Sequence, residues 1–103
     1  MKFENTYNVY SIENKHIVRC YCPLGRDNYT ANITVTVTSP KYLVDYLDSD
    51  RFIGLLNGQE LIIEDLADKI AQYFKEETQA ADVVVAAYVQ DATHSPVEVT
   101  VTL

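Results

Sequence analysis

The chain has 103 residues, the size of one small domain, and 48% hydrophobic with 22% charged residues is an ordinary globular composition. A net charge of −7 argues against the basic surface that a nucleic-acid partner requires. No stretch is apolar for long enough to act as a signal peptide or to span a bilayer, so we expect a cytoplasmic protein with one domain over residues 1–103 and no membrane partner.

The first part of the chain predicts strands. Residues 6–12 (TYNVYSI) and 16–22 (HIVRCYC) indicate two strands, or one bent strand around the turn residues 13–15. Residues 29–38 alternate strictly, with one apolar face and one face of threonine and asparagine; the apolar residues are Tyr29, Ala31, Ile33, Val35 and Val37. A strand this long would invite aggregation as an unpaired edge, so we expect it to pair with another subunit.

Two helical patterns follow. Residues 39–56 predict a helix with Ser39 as N-cap and Pro40 at the first helical position. Its apolar stripe consists of Leu43, Tyr46 or Leu47, and Ile53. The second helix begins near Ile63, with Glu64 and Asp65 in a first turn that suits the helix dipole. Its apolar residues at helical spacing are Ile63, Leu66, Ala67, Ile70 and Phe74.

Two strands end the chain. Residues 82–90 are mostly apolar, and residues 97–103 alternate valine or leucine with glutamate and threonine. The order of strands, two helices and strands predicts an α+β fold, in which both helices cover one face of an antiparallel four-stranded sheet. The threonine-rich face is then either an ordinary solvent face or the lining of a barrel closed by several subunits.

Two motifs resemble the dihydroneopterin aldolases. Leu43-Val44-Asp45-Tyr46 is similar to the family's Thr-Val-Asp-Tyr motif, and residues 62–71 (IIEDLADKIA) are similar to its Leu-Ile-Glu-x-Leu-Ala-x-x-Ile-Ala motif. The spacing between Tyr46 and Glu64 is close to the spacing in that family. The resemblance implies the tunnelling fold (T-fold), in which ββααββ subunits join their sheets into an oligomeric barrel. It implies a homo-oligomeric ring of four, six or eight subunits, and a retro-aldol lyase of the folate pathway with neither metal nor cofactor.

The same resemblance implies a binding site for a pterin or a purine-like ring. Glu64, with its neighbour Ile63, would hold the 2-amino-4-oxo edge of the ring. A carboxylate accepts two parallel hydrogen bonds from the amino group and the adjacent ring N–H, as it does from a guanidinium. Tyr46 would lie near the reacting side chain as a binding and catalytic residue.

The sequence departs from that family at its catalytic positions. The family's lysine falls on Gln90 or Asp91, and neither is a cationic acid at neutral pH. The glutamate of a family loop has no clear counterpart, and Asp27 is the nearest candidate. His94, in the predicted turn between the last two strands, is a candidate acid or base in place of the lysine, because histidine titrates near neutrality. A lyase with diverged catalytic residues and a non-catalytic pterin- or purine-binding module are both open.

The two cysteines, Cys20 and Cys22, suggest a third possibility. We expect free thiols, since a disulfide between strand positions i and i+2 would be strained. Residues 22–27 (CPLGRD) resemble, two residues short, the Cys-Pro segment of the nitrile reductases that act on a deazaguanine. There a thiolate attacks a nitrile and an aspartate moves protons, which are the roles we assign to Cys22 and Asp27. Only His16 and His94 are present, which excludes the three-histidine zinc site of the pyruvoyl-tetrahydropterin synthases.

Overall fold

The computed structural model describes residues 1–103. An antiparallel sheet has the strand order β2–β3–β5–β6, formed by β2 (Ser11–Cys22), β3 (Asp27–Thr38), β5 (Asp82–Val89) and β6 (Val97–Thr102). The helices α1 (Tyr46–Gly54) and α2 (Ile63–Thr78) lie between β3 and β5 in the chain. A small second sheet pairs β1 (Lys2–Glu4) with β4 (Tyr42–Val44). The predicted α+β architecture with ββααββ order is confirmed.

The core lies between the sheet and α2. The alternating apolar residues of β3 are at most 5% exposed, as the period-two pattern predicts. α2 buries its apolar stripe against them with Leu66, Ala67, Ile70 and Phe74. Burying one such large side chain contributes about 1.5–3 kcal/mol, so this helix is fixed mainly by its packing. The threonine and asparagine side chains of β3 lie on the opposite face, where they are half-buried or exposed.

The start of the first helix differs from the prediction. Ser39 has a left-handed φ of 52° and caps no helix, and residues 42–44 form β4, which places Leu43 in a strand. The reason is long-range pairing: the extended segment binds β1, and the Lys41 N–H donates to the Thr78 carbonyl. The N-cap is Asp45, whose side chain accepts from the Leu47 N–H at 2.9 Å. Of the predicted stripe only Ile53 is buried.

Of the two predicted alternatives, two strands or one bent strand around residues 13–15, the structure has one continuous strand, β2, with no turn at these residues. Glu13 and Lys15 project to the wet face, while Asn14 points inward and its Oδ1 accepts from His16 Nε2 at 2.8 Å. These polar residues therefore fit an edge strand without a turn. Residues 6–10 are not a strand. The Asn5 side chain donates to the Val9 carbonyl and accepts from the Val9 N–H, which closes a loop there.

β3, which was predicted to be an edge strand, is an interior strand of the sheet. β3 is paired on both sides, so the free edges of the sheet belong to β2 and β6. Part of the β2 edge is covered by residues 57–61 of the same chain. The Gly58 N–H donates to the Arg19 carbonyl, and Tyr21 exchanges bonds with Gln59 and Leu61. The uncovered part of this edge is residues 11–17. Neither helix combines the length and the apolar content needed to cross a membrane.

Candidate functional site

The β2–β3 hairpin places a thiol beside a carboxylate. Cys22 and Asp27 are paired residues across the two strands, so their side chains leave the sheet on the same face. The Arg26 N–H donates to the Cys22 carbonyl at 2.8 Å and closes the turn. Within this turn the Gly25 N–H lies 3.4 Å from Cys22 Sγ. The turn backbone thus contacts the sulfur on the face that Cys22 shares with Asp27.

A cleft opens beside this pair, at the sheet end where the hairpin, the β5–β6 loop and the start of α2 meet. It encloses about 410 Å³ of empty space, part of which is open to solvent. Its apolar lining consists of Tyr29, Ile63, Val89, Ala92 and Val97, and its polar lining includes Cys22, Asp27, Asn28, Thr93 and His94. The structure therefore brings four of the sequence-predicted site residues to one cleft: Cys22, Asp27, Ile63 and His94.

The β5–β6 loop contributes His94. Its Nδ1 lies 2.7 Å from the Ser95 carbonyl, which can only accept, so Nδ1 carries the proton and Nε2 is the acceptor of the neutral ring. Asp91 in the same loop is turned away from the cleft. Its carboxylate accepts from the Thr30 N–H at 2.9 Å, and this bond lowers the pKa of Asp91. Gln90 does not line the cleft either.

Glu64 is the sequence neighbour of the cleft-lining Ile63 but does not itself line the cleft. It follows Ile63 in the first turn of α2, is exposed, and makes no hydrogen bond or ion pair within the protein. The N-cap residue Ile62 offers no side-chain acceptor, so the first N–H groups of α2 have no protein partner. Charge from Glu64 reaches the cleft wall, since it is one of the causes that raise the pKa of Tyr29.

Tyr29 is the residue of the cleft that sequence reasoning missed. It is 5% exposed, and its hydroxyl donates to the Leu61 carbonyl, just before α2. Burial raises the pKa of Tyr29 most strongly, and Cys20, Cys22 and Glu64 raise it further, so the hydroxyl stays protonated. The alternating pattern of β3 could have indicated this role, because Tyr29 lies two positions after Asp27 and therefore on the same face of the strand.

The two thiols have different environments, and both are free. Cys20 is 2% exposed, and its Sγ donates to the Leu56 carbonyl at 3.3 Å. Burial raises the pKa of Cys20, which keeps this thiol neutral. Cys22 is half-buried and lines the cleft. The nucleophile candidate of the pair is therefore Cys22.

Tyr46 is remote from the cleft of its own subunit. It begins α1, is 53% exposed, and lies beside the β1–β4 sheet near the end of α2, whereas the cleft lies at the start of α2. No lysine lines the cleft. Lys75, in the last turn of α2, donates instead to the carbonyls of Ala80 and Ala81.

The sequence matches no protein-family model and no curated protein. Among solved structures, the chain is similar to the apo form of an archaeosine synthase described as QueF-like. The TM-score is 0.76, with 17% sequence identity over 93% of each chain. At this identity the likeness shows the fold alone, and the predicted tunnelling fold is confirmed. The likeness gives no specific support to the dihydroneopterin aldolases.

Proposed function

We propose that this tunnelling-fold protein binds a free deazaguanine-like heterocycle in the cleft and that Cys22 attacks a nitrile group carried by the ring. The observation that carries the proposal is the pairing of Cys22 with Asp27 on the wall of a cleft that Ile63, the neighbour of Glu64, also lines. A positioned thiol beside a proton-transferring carboxyl is what nucleophilic addition to a nitrile requires. The name of the solved neighbour, an archaeosine synthase of the QueF-like kind, agrees with this class of ligand.

Glu64 is proposed as the group that recognises the ring. Its carboxylate has no protein partner and is free to accept from an exocyclic amino group and the adjacent ring N–H. Ile63, Val89 and Val97 supply apolar contacts for the faces of a flat ring. With a net charge of −7, a free base or nucleoside is a better ligand than a base carried in RNA.

The proposed reaction is an addition in which all atoms are kept. The sulfur of Cys22 bonds to the nitrile carbon, and one carbon–nitrogen π bond becomes the new N–H bond. Asp27 moves the thiol proton towards the nitrile nitrogen, and His94 Nε2 is a second acceptor on the cleft. The product is a thioimidate whose mass is the sum of the protein and the ligand.

A pterin is the second candidate ligand, and the motif around Glu64 favours it. A pterin presents the same amino group and ring N–H as a guanine, so the proposed recognition by Glu64 applies to both. The retro-aldol lyase reaction has less support, because it requires a cationic acid and no lysine lines the cleft. The residues of the cleft therefore fit a non-catalytic pterin-binding module better than a pterin lyase.

Intact-protein mass spectrometry with a cyano-substituted deazaguanine tests the proposed addition. The wild-type protein is expected to gain the mass of the ligand, and so is Cys20→Ser, whose missing thiol is buried away from the cleft. Cys22→Ser is expected to gain nothing. An adduct on Cys22→Ser would exclude Cys22 as the nucleophile. Binding without an adduct on the wild type would leave the binding module as the function.

A further inference from the structure

We propose that Tyr29 is a positioning residue, which fixes the first turn of α2 through its hydroxyl bond to the Leu61 carbonyl and so holds Glu64 next to the cleft-lining Ile63. The inference rests on the proposed function where it concerns ligand affinity. The contact between Tyr29 and Leu61 is independent of any ligand.

The start of α2 is held on two sides. Leu61 is mostly buried, and its N–H donates to the Tyr21 carbonyl on β2 at 3.0 Å. Its carbonyl accepts from the Tyr29 hydroxyl on β3. Because β2 and β3 are paired along their whole length, the two bonds anchor Leu61 to one rigid hairpin. The direction in which the chain enters α2 is therefore set at Leu61.

No other polar contact anchors the start of α2. The N-cap residue Ile62 makes no side-chain hydrogen bond, so the usual anchor of a helix start is missing. Glu64 and Asp65 are exposed and contact no partner that would hold the turn. The next buried residue of the helix is Leu66. Between Leu61 and Leu66, Ile63 packs against the core but supplies no polar contact, so the polar anchor of the turn that carries Glu64 is the Leu61 backbone that Tyr29 binds.

The anchor is also permanent. Burial keeps the Tyr29 hydroxyl protonated, because its pKa is raised above the ordinary value of 10. The hydroxyl therefore remains a hydrogen-bond donor at every pH near neutrality. Burial is the main cause of this raised pKa, and the charges of Cys20, Cys22 and Glu64 raise it further.

Hydrogen exchange tests the anchor without any ligand. Tyr29→Phe removes one oxygen and keeps the ring packing. We expect the amides of Leu61 and Leu66, which donate to Tyr21 and Ile62, to exchange on the order of tenfold faster. Amides of β5 should keep their rates. Tyr73→Phe is the matched control, since it removes the hydroxyl of a half-buried tyrosine on α2 itself and should leave both amides unchanged. Unchanged rates at Leu61 and Leu66 in Tyr29→Phe would overturn the inference.

A double-mutant cycle tests the link to the ligand, with guanine as the probe. Tyr29→Phe is expected to weaken binding about tenfold. In combination with Glu64→Gln it should cause no further loss, because its effect acts through Glu64. Additive losses would show that Tyr29 acts independently of Glu64 and would overturn the positioning role. If guanine, a pterin and a cyano-deazaguanine all fail to bind the wild type while the Tyr29→Phe amides exchange faster, the proposed function fails and the anchor stands.

Discussion

At the scale of single residues, the structure gives the two thiols of β2 different environments. Cys20 and Cys22 share one face of β2, but Cys20 is buried against Leu56, whereas Cys22 lies at the turn end of the hairpin, beside the cleft. Reactivity follows the thiolate fraction and access to solvent. Both properties favour attack by Cys22, because burial raises the pKa of Cys20.

Alkylation with iodoacetamide should therefore label Cys22 at least about tenfold faster than Cys20 in the folded protein. Peptide mass spectrometry over a time course measures the two rates. In Cys22→Ser the folded protein should remain nearly unlabelled until denaturant is added. Comparable rates at the two thiols would contradict the burial of Cys20.

His16 makes the stability depend on pH. Its side chain is 11% exposed between β2 and α1, and burial lowers the pKa of His16 below 6.5, opposed by Asp50 at 3.6 Å. The unfolded chain therefore binds a proton in a window where the folded protein does not. The stabilising contribution of neutral His16 is complete above pH 6.5 and is lost as the pH falls towards the folded pKa.

The melting temperature of the wild type is thus expected to fall between pH 7.5 and 5.5. His16→Gln should flatten the pH dependence in this window, because no proton is taken up at that position. Asp50→Asn should steepen it, since the carboxylate that favours the charged imidazole is gone. Thermal melts across the pH series measure all three, and an equal slope in His16→Gln would refute the assignment.

The members of the site were only partly visible in the sequence. Cys22, Asp27, Ile63 and His94 were found by their chemistry or by motif, and strand register with helix packing decides that they share one cleft. Tyr46 was found by motif as well, but the structure places it at the other end of its subunit. Tyr29 was missed because its period-two pattern indicates only a core residue.

At the scale of elements, dense periodicity was a better guide than a single local signal. α2 and β3 were predicted because each repeats an apolar residue at the right interval over its whole length. The helix start predicted from Ser39 and Pro40 is wrong because residues 42–44 pair with β1 as a strand. This pairing is long-range, so no local stretch of sequence contains it. The sequence left open whether β2 is one strand or two for a similar reason, because its polar middle is stabilised by pairing with β3.

The C-terminal end of α2 offers a test at this scale. Gln79 has a left-handed φ of 48°, and its N–H donates to the Lys75 carbonyl. Glycine adopts this conformation without a Cβ penalty, so Gln79→Gly should stabilise the fold by about 1 kcal/mol. Glu76→Gly, in the exposed body of the same helix, should destabilise it by about 1 kcal/mol. Urea unfolding of the two variants measures both, and destabilisation by Gln79→Gly would contradict the left-handed cap.

At the scale of the whole molecule, the sheet ends in two edges that the chain leaves open. The N–H and carbonyl groups of Arg19 and Tyr21 point away from β3 and are bonded to the 57–61 segment. By the alternation of an antiparallel strand, the same groups of Ser11, Glu13, Lys15 and Ile17 point outward as well. We propose that ring assembly uses this short uncovered segment against the β6 edge of a neighbour.

Lys15→Pro tests that assembly. Proline removes an N–H that points away from β3, so the subunit should keep its own sheet and lose one bond to the neighbour. We expect sedimentation velocity to show an oligomer for the wild type and smaller species for Lys15→Pro. Lys15→Val, which keeps the N–H, should behave as the wild type does. A monomeric wild type, or an oligomer unaffected by the proline, would contradict the proposed interface.

The central claim is that the cleft at the start of α2 binds a flat aminated heterocycle through Glu64. Calorimetric titration with guanine, a pterin and a cyano-deazaguanine tests it most directly, with Asp65→Asn as the matched change at the neighbouring exposed carboxylate. We predict that at least one ring binds the wild type and Asp65→Asn alike, and that Glu64→Gln loses more than about tenfold in affinity, because an amide offers one acceptor where two are needed. Equal affinity of Glu64→Gln and the wild type, or binding of none of the three rings, would contradict it.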